Sequence, residues 1–145
     1  MSIIKDIYDV AKEGATQAAK VGAVKRALRT EAKLNLKFLM DVSLSMDIDD
    51  KRRVEIIKNL ELEELAAAVR YELPYLAISR KKVTKKLTEQ YKIKRALDYD
   101  LEKLIESLFL MISYLKKDYK NKSIDLNLRL ININKYNNLL IELLG

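Results

Sequence analysis

The fold class is decided by residues 98–119, which read DYDLEKLIESLFLMISYLKKDY. Acidic residues lead this segment and lysines lie near its end, an order that suits the dipole of a helix. Its large apolar residues recur at helical spacings of three and four: Leu101, Leu104, Ile105, Leu108, Ile112 and Leu115. The pattern predicts a long amphipathic helix with one buried face.

The composition extends the helical prediction to the rest of the chain. Among 145 residues there are 3 Gly and 1 Pro, too few for the many turns of a β-rich domain. A chain of this length suits one domain with one core. We therefore predict that residues 1–145 form a single all-α domain, an irregular bundle of about six or seven helices.

Apolar periodicity and capping residues divide the chain into segments. Helices are predicted over residues 3–21, 24–44, 50–60, 61–73 and 75–91. The last segment, residues 124–144, begins with the apolar and polar alternation of a strand. Because no turn signal follows and a lone strand would have no partner, a buried central helix is the favoured interpretation. Its polar stripe would be Asn127, Asn134, Asn138 and Glu142.

The absence of Cys and His excludes most of the familiar catalytic and metal-binding chemistries. Without Cys there are no disulfides, thiolate nucleophiles or zinc sites built on sulfur. Without His there is no Ser-His-Asp triad, and the commonest transition-metal ligand is missing. We therefore predict a protein that is not an enzyme and uses no metal and no cofactor. An enzyme that works through carboxylates and a metal ion is the least favoured hypothesis.

The positive charge is concentrated in one segment, residues 80–95, which we call the basic band. Its eight basic residues are Arg80, Lys81, Lys82, Lys85, Lys86, Lys92, Lys94 and Arg95. Only Glu89 opposes them, so the band carries the whole formal net charge of +7 and the other residues sum to zero. Such a charge density attracts polyanions in a salt-dependent way. The alternative is a solvated helix face that keeps the protein soluble.

Residues 83–97, VTKKLTEQYKIKRAL, resemble a helix-turn-helix motif in their apolar spacing. The residues that would pack inward are Leu87, Tyr91, Ile93 and Leu97. Lys94 and Arg95 would then begin a recognition helix. Thr88 and Lys92 replace the small residue and the turn glycine of that motif. A basic helix followed by a connection is therefore the favoured interpretation.

The first predicted helix carries a row of small residues, Gly14, Ala18 and Gly22, at spacings of four. Small side chains at that spacing let a second helix approach closely. The helix has no net charge, and its expected contact is a helix of a protein partner or of another copy. A membrane surface is disfavoured, because excess Lys and Arg and large aromatics are lacking. The alternatives are a break at Gly14 and packing of the helix on its own bundle.

Glu31 and Asn35 interrupt the apolar face of the helix predicted over residues 24–44. A buried carboxylate needs a hydrogen-bonding partner or contact with water. We predict a buried polar pair in which an ion pair, such as one to Arg70, satisfies the carboxylate. A functional polar site inside the bundle is the alternative.

These features favour a non-catalytic helical interaction subunit of a larger protein assembly. Residues 1–22, as a protruding or interface helix, and the basic band would contact its partners. The alternative is a nucleic-acid-binding accessory protein that holds the backbone of RNA or DNA through residues 80–95. Three tyrosines near the band would suit base stacking: Tyr75, Tyr91 and Tyr99. No apolar signal region or membrane-spanning stretch is evident, so a cytoplasmic location is expected.

Overall fold

Helices make up nearly all the regular structure of residues 2–9, 17–44 and 48–145, the ranges that the computed structural model describes. The eight α-helices within them are α1 (Ile3–Asp9), α2 (Gln17–Leu44), α3 (Asp50–Asn59), α4 (Glu63–Arg70), α5 (Tyr75–Ile78), α6 (Lys85–Tyr91), α7 (Leu101–Asp118) and α8 (Leu126–Leu144). These ranges also contain a 3-10 helix, Lys94–Ala96, and no strand. The predicted all-α class is confirmed.

The core lies where α8 packs against both α2 and α7. All six apolar residues of the α7 pattern are buried. The predicted buried central helix is confirmed as α8, in which Leu130 and Ile133 are almost completely buried. Asn137 of α8 is also buried, and its Nδ2 donates a hydrogen bond to the Ala32 carbonyl of α2 at 2.8 Å. Burial on two sides explains why α8 is apolar nearly all round.

Capping side chains explain where four of the helices begin. Asp49, Thr84, Asp100 and Asp125 precede α3, α6, α7 and α8, respectively. Each side chain accepts a hydrogen bond from the backbone amide three residues later, at 2.9–3.2 Å. A cap of this kind stabilises a helix by about 1 kcal/mol.

The helix boundaries predicted around Gly22 are wrong. α2 begins at Gln17, continues through Gly22 and ends at Leu44, whereas α1 ends at Asp9. A glycine inside a helix costs about 1 kcal/mol relative to Ala, but burial of apolar residues of α2 such as Leu28 outweighs that cost. α1 packs on α2 and α4 and buries Ile4 completely, so residues 3–9 do not protrude.

The single helix predicted over residues 75–91 is also wrong, because the chain is non-helical between α5 and α6. Val83 exchanges backbone hydrogen bonds of 2.9 Å with Asp98 and Tyr99, which replace the bonds of a continuous helix. Thr84 then starts α6 as its cap. The helix predicted over residues 61–73 is shortened to α4 at both ends.

α6 ends at Lys92, whose backbone is left-handed, with φ 55° and ψ 52°. The Lys92 amide donates to the Thr88 carbonyl and closes the helix. A residue with a Cβ is disfavoured in this region by about 1 kcal/mol, and glycine is not. Lys92 therefore stands where a helix-ending glycine is common.

Glu31 of α2 caps α4 from outside, since Leu62 provides no capping side chain. Its carboxylate accepts hydrogen bonds from the amides of Glu64 and Leu65 at 2.7 and 3.0 Å. The Glu64 carboxylate in turn accepts from the amides of Ile3 and Ile4 at 2.5 and 3.1 Å. Two buried glutamates thus hold the beginnings of α4 and α1, where the helix dipole favours negative charge.

Asn35 holds the connection between α3 and α4. Its side chain donates to the Glu61 carbonyl at 2.9 Å and accepts from the Glu61 amide at 2.7 Å. The predicted ion pair to Arg70 is wrong: Glu31 lies at the beginning of α4, and Arg70 is exposed at its end, about 9 Å away along the axis. Burial raises the pKa of Glu31 from 4.5 to about 7. The hydrogen bonds from the amides of Glu64 and Leu65 lower this pKa, because they favour the charged form, but the effect of burial is larger.

We expect Glu31→Gln to change how stability depends on pH. The Glu31 carboxyl releases its proton near pH 4.5 in the unfolded chain but near pH 7 in the folded protein. Between these values the folded state binds more protons, so the free energy of unfolding of the parent falls as the pH rises, by up to about 1.4 kcal/mol per pH unit. Chemical denaturation of both proteins across this range measures the free energy of unfolding of the parent minus that of the variant. This difference should decline as the pH rises from about 4.5 to about 7 and then level off. A difference that is independent of pH would contradict this expectation.

We expect Lys92→Gly to raise the free energy of unfolding by about 1 kcal/mol, because glycine adopts the left-handed backbone without steric conflict. Lys92→Ala is the matched control, since it removes the same charge but keeps a Cβ. Chemical denaturation of the two variants should therefore separate them. Equal stabilities would show that the backbone at Lys92 is not strained.

Candidate nucleic-acid interface

The basic band combines several short elements that pack beside α8. It runs from the non-helical stretch after α5 through α6 and the left-handed turn at Lys92 to the 3-10 helix. Val83, Thr88 and Ile93 are buried and anchor the band to the body. With its apolar residues turned inward, the band presents its charged residues to solvent.

All eight basic side chains of the band are exposed, and Glu89 is exposed among them. None of the eight forms an ion pair with an Asp or Glu side chain in the described ranges. Lys81 donates a hydrogen bond to the main-chain oxygen of Gly145 at 2.9 Å. Lys135 of α8 donates to the Lys92 carbonyl at 3.1 Å and so adds a ninth cation next to the band.

The favoured interpretation of residues 83–97, a basic helix followed by a connection, is confirmed, and the helix-turn-helix motif that they resemble does not form. Lys94 and Arg95 lie in a 3-10 helix of three residues, too short to enter a major groove as a helix. The chain then turns at Asp98, whose φ is 65°, and Leu97 stays 45% exposed instead of packing inward. The band therefore carries cations on a turn-rich surface without a helix that could read base edges.

The three tyrosines predicted to stack on bases are engaged within the protein. Tyr75 donates its hydroxyl to the Ala68 carbonyl at 3.1 Å, and Tyr91 donates to Glu142 at 2.8 Å. Burial, and then the Glu142 carboxylate, raise the pKa of Tyr91 to about 12. Tyr99 is half-buried, with its ring centroid 6.2 Å from that of Tyr136. These rings pack and orient neighbouring groups.

A groove between α7 and α8 adjoins the band and encloses about 440 Å³. The residues that give this α7–α8 groove its chemistry are Arg95, Ser107, Leu110, Tyr114, Leu128, Arg129, Asn132 and Tyr136. This groove was not predicted from the sequence. α7 and α8 each carry apolar residues that their mutual contact leaves exposed, and periodicity alone does not show which ones these are. The available signal was Tyr114, which lies outside the regular apolar pattern of α7.

A second groove of about 470 Å³ lies between α6 and α8. The predicted polar stripe lines it with Asn127, Asn134 and Asn138. Asn138 donates to the Asn134 carbonyl of the preceding turn at 3.0 Å, so part of the stripe is occupied within α8 itself. The polar stripe is therefore the face of α8 that is open to solvent next to α6.

The small-residue row shows no close helix contact in the part that the structure describes. Gly14 lies outside the described residues, and Ala18 is exposed. A Cβ at Gly22 would meet only the Arg26 side chain, at 3.5 Å. Packing in the described ranges therefore does not require glycine at position 22.

Glu31 and Asn35 are 6% and 0% exposed and are occupied by the backbone groups of α4 and of the segment before it. They do not line any of the grooves described above. Their arrangement organises helix ends. Nothing in it provides an open polar site.

None of the described helices is both long and apolar enough to cross a membrane. Within the same ranges, no three acidic, Cys or His side chains are grouped so that they could hold a metal ion. The candidate interface consists of the basic band and the α7–α8 groove. No protein-family model, curated protein or solved structure matches the chain.

Proposed function

We propose that the chain is a non-catalytic helical subunit that binds the sugar-phosphate backbone of nucleic acids through the basic band. The observation that carries this proposal is the exposure of eight cations in 16 consecutive residues, none of which pairs with an Asp or Glu side chain in the described ranges. Cations that are already free do not have to break ion pairs before they bind phosphates.

The charge distribution supports a polyanionic ligand. Residues outside the band sum to zero charge, so no net charge of the body opposes the field of the band. Neighbouring cations in a short segment lie within about one Debye length of one another, so their potentials add at physiological salt. A ligand with regularly spaced negative charges gains most from such a surface.

The surface of the band favours nucleic acid over protein as the ligand. Interfaces between proteins have an apolar and aromatic centre, whereas interfaces with nucleic acids are polar and strongly positive. Between residues 80 and 95 no apolar side chain is exposed, since Val83 and Ile93 are buried and Leu87 and Tyr91 are partly buried. We therefore favour nucleic acid over a protein partner as the ligand of the band.

Assembly with a protein partner through residues 1–22 stays a prediction. Gly14, at the centre of that hypothesis, lies outside the described residues, and α1 is engaged by α2 and α4. The nucleic-acid proposal does not depend on these residues. The nucleic-acid proposal also implies that the band does not read base edges in the grooves of a duplex, because it contains no recognition helix.

We expect charge reversal in the band to abolish binding while the fold is kept. The variant changes Lys81, Lys82, Lys85 and Lys86 to Glu; all four are exposed, so the core is untouched. Loss of four cations and addition of four repulsive carboxylates should weaken binding of a DNA duplex of about 20 base pairs by about 100-fold or more. Fluorescence anisotropy at fixed salt measures the affinity.

The matched control makes the same change of net charge elsewhere. Lys5, Lys33, Lys37 and Lys51 are also exposed, and changing them to Glu should weaken binding only by a few-fold, through the general field. If the band variant binds as tightly as this control, the band is not the interface.

A further inference from the structure

The α7–α8 groove continues directly from the basic band, because Arg95 belongs to both. The Arg95 Nε donates to the Tyr136 hydroxyl at 3.0 Å, and the guanidinium carbon lies 5.5 Å from the centre of that ring. Tyr136 is buried and therefore holds Arg95 in a defined orientation. A ligand that follows the band reaches the groove at this residue.

The groove combines cations with exposed apolar surface. Arg129 is its second exposed cation, and no carboxylate is among its described lining residues. Tyr114 is 57% exposed, beside Leu128 at 53% and Leu110 at 46%. The Tyr114 ring has no aromatic partner in the described ranges. An exposed ring beside arginines is the arrangement on which unpaired bases stack.

Two polar side chains in the groove are free to bind a ligand. Ser107 and Asn132 line it, and neither side chain has a hydrogen-bond partner within the described part of the chain. A hydroxyl and an amide together offer both donors and acceptors, which can satisfy the edge of a nucleobase. The volume of about 440 Å³ lies in the range of small-ligand sites and leaves room for about one nucleotide.

We propose that the α7–α8 groove binds an unpaired base of a single-stranded nucleic acid by stacking it on Tyr114, while the adjoining phosphates follow Arg95 into the basic band. This inference rests on the proposed function and adds to backbone binding a contact that only a strand with unpaired bases can make. A single strand carries phosphates beside bases whose flat faces are apolar, and the joined surfaces offer cations beside an exposed aromatic ring. An acidic amphipathic peptide would satisfy the groove but not the band, where no apolar side chain is exposed.

The test compares strands that carry the same phosphates with and without bases. We expect the parent to bind a fluorescein-labelled oligothymidine of about 15 nucleotides about tenfold more tightly than an abasic strand of equal length. Tyr114→Ala should remove this difference, and Tyr114→Phe should keep it because the ring remains. An oligouridine of the same length, compared with an abasic RNA strand, extends the test to RNA, and a preference for the base-bearing strand in either pair supports the groove.

Binding of the abasic strand and of a duplex serves as the control for folding and for the band. Tyr114→Ala should leave both unchanged, since neither presents an unpaired base. If the parent binds base-bearing and abasic strands equally, or if Tyr114→Ala leaves the difference intact, the groove inference is overturned while backbone binding stands. If the parent binds no strand and no duplex, the proposed function fails with it.

Discussion

The burial of α8 against both α2 and α7 is the constraint on which the rest of the structure depends. This helix sits at the centre of the core, and its remaining surface packs against α6 and lines the α7–α8 groove. Three of its side chains form hydrogen bonds with the band. Tyr136 accepts one from Arg95 and Glu142 accepts one from Tyr91. Lys135 donates one to the Lys92 carbonyl. Charge that would otherwise lie on a loose loop is therefore fixed to a rigid helix.

The same packing keeps the buried carboxylates apart from the exposed cations of the band. The buried carboxylates of Glu31 and Glu64 cap α4 and α1, respectively, and accept hydrogen bonds from backbone amides there. Of the ion pairs found in the described ranges, Arg52–Asp41 connects α3 with α2, and Arg52–Glu55 and Arg53–Asp50 lie within α3, away from the band. The cations of the band are left without such partners. A neutral body with one strongly positive surface is what the proposed binding to a polyanion requires.

The sequence predicts much of the fold, because α7 and α8 bury whole faces and their apolar spacing records that burial. It fails where tertiary contacts override local signals. Gly22 continues a helix because α2 is held by α8, and α5 is separated from α6 because Val83 pairs with the segment before α7. The basic band is visible as composition, but its shape, and the groove beside it, depend on long-range contacts such as that of Arg95 with Tyr136.

The central claim is that the band binds phosphates directly. Its most direct test is the salt dependence of binding of the parent protein to duplex DNA, because each phosphate contact releases counterions and adds about −0.9 to the slope of log K against log salt. Engagement of most of the eight band cations predicts a linear plot with a slope between about −4 and −7. A slope near zero, or no binding even at low salt, would contradict the account.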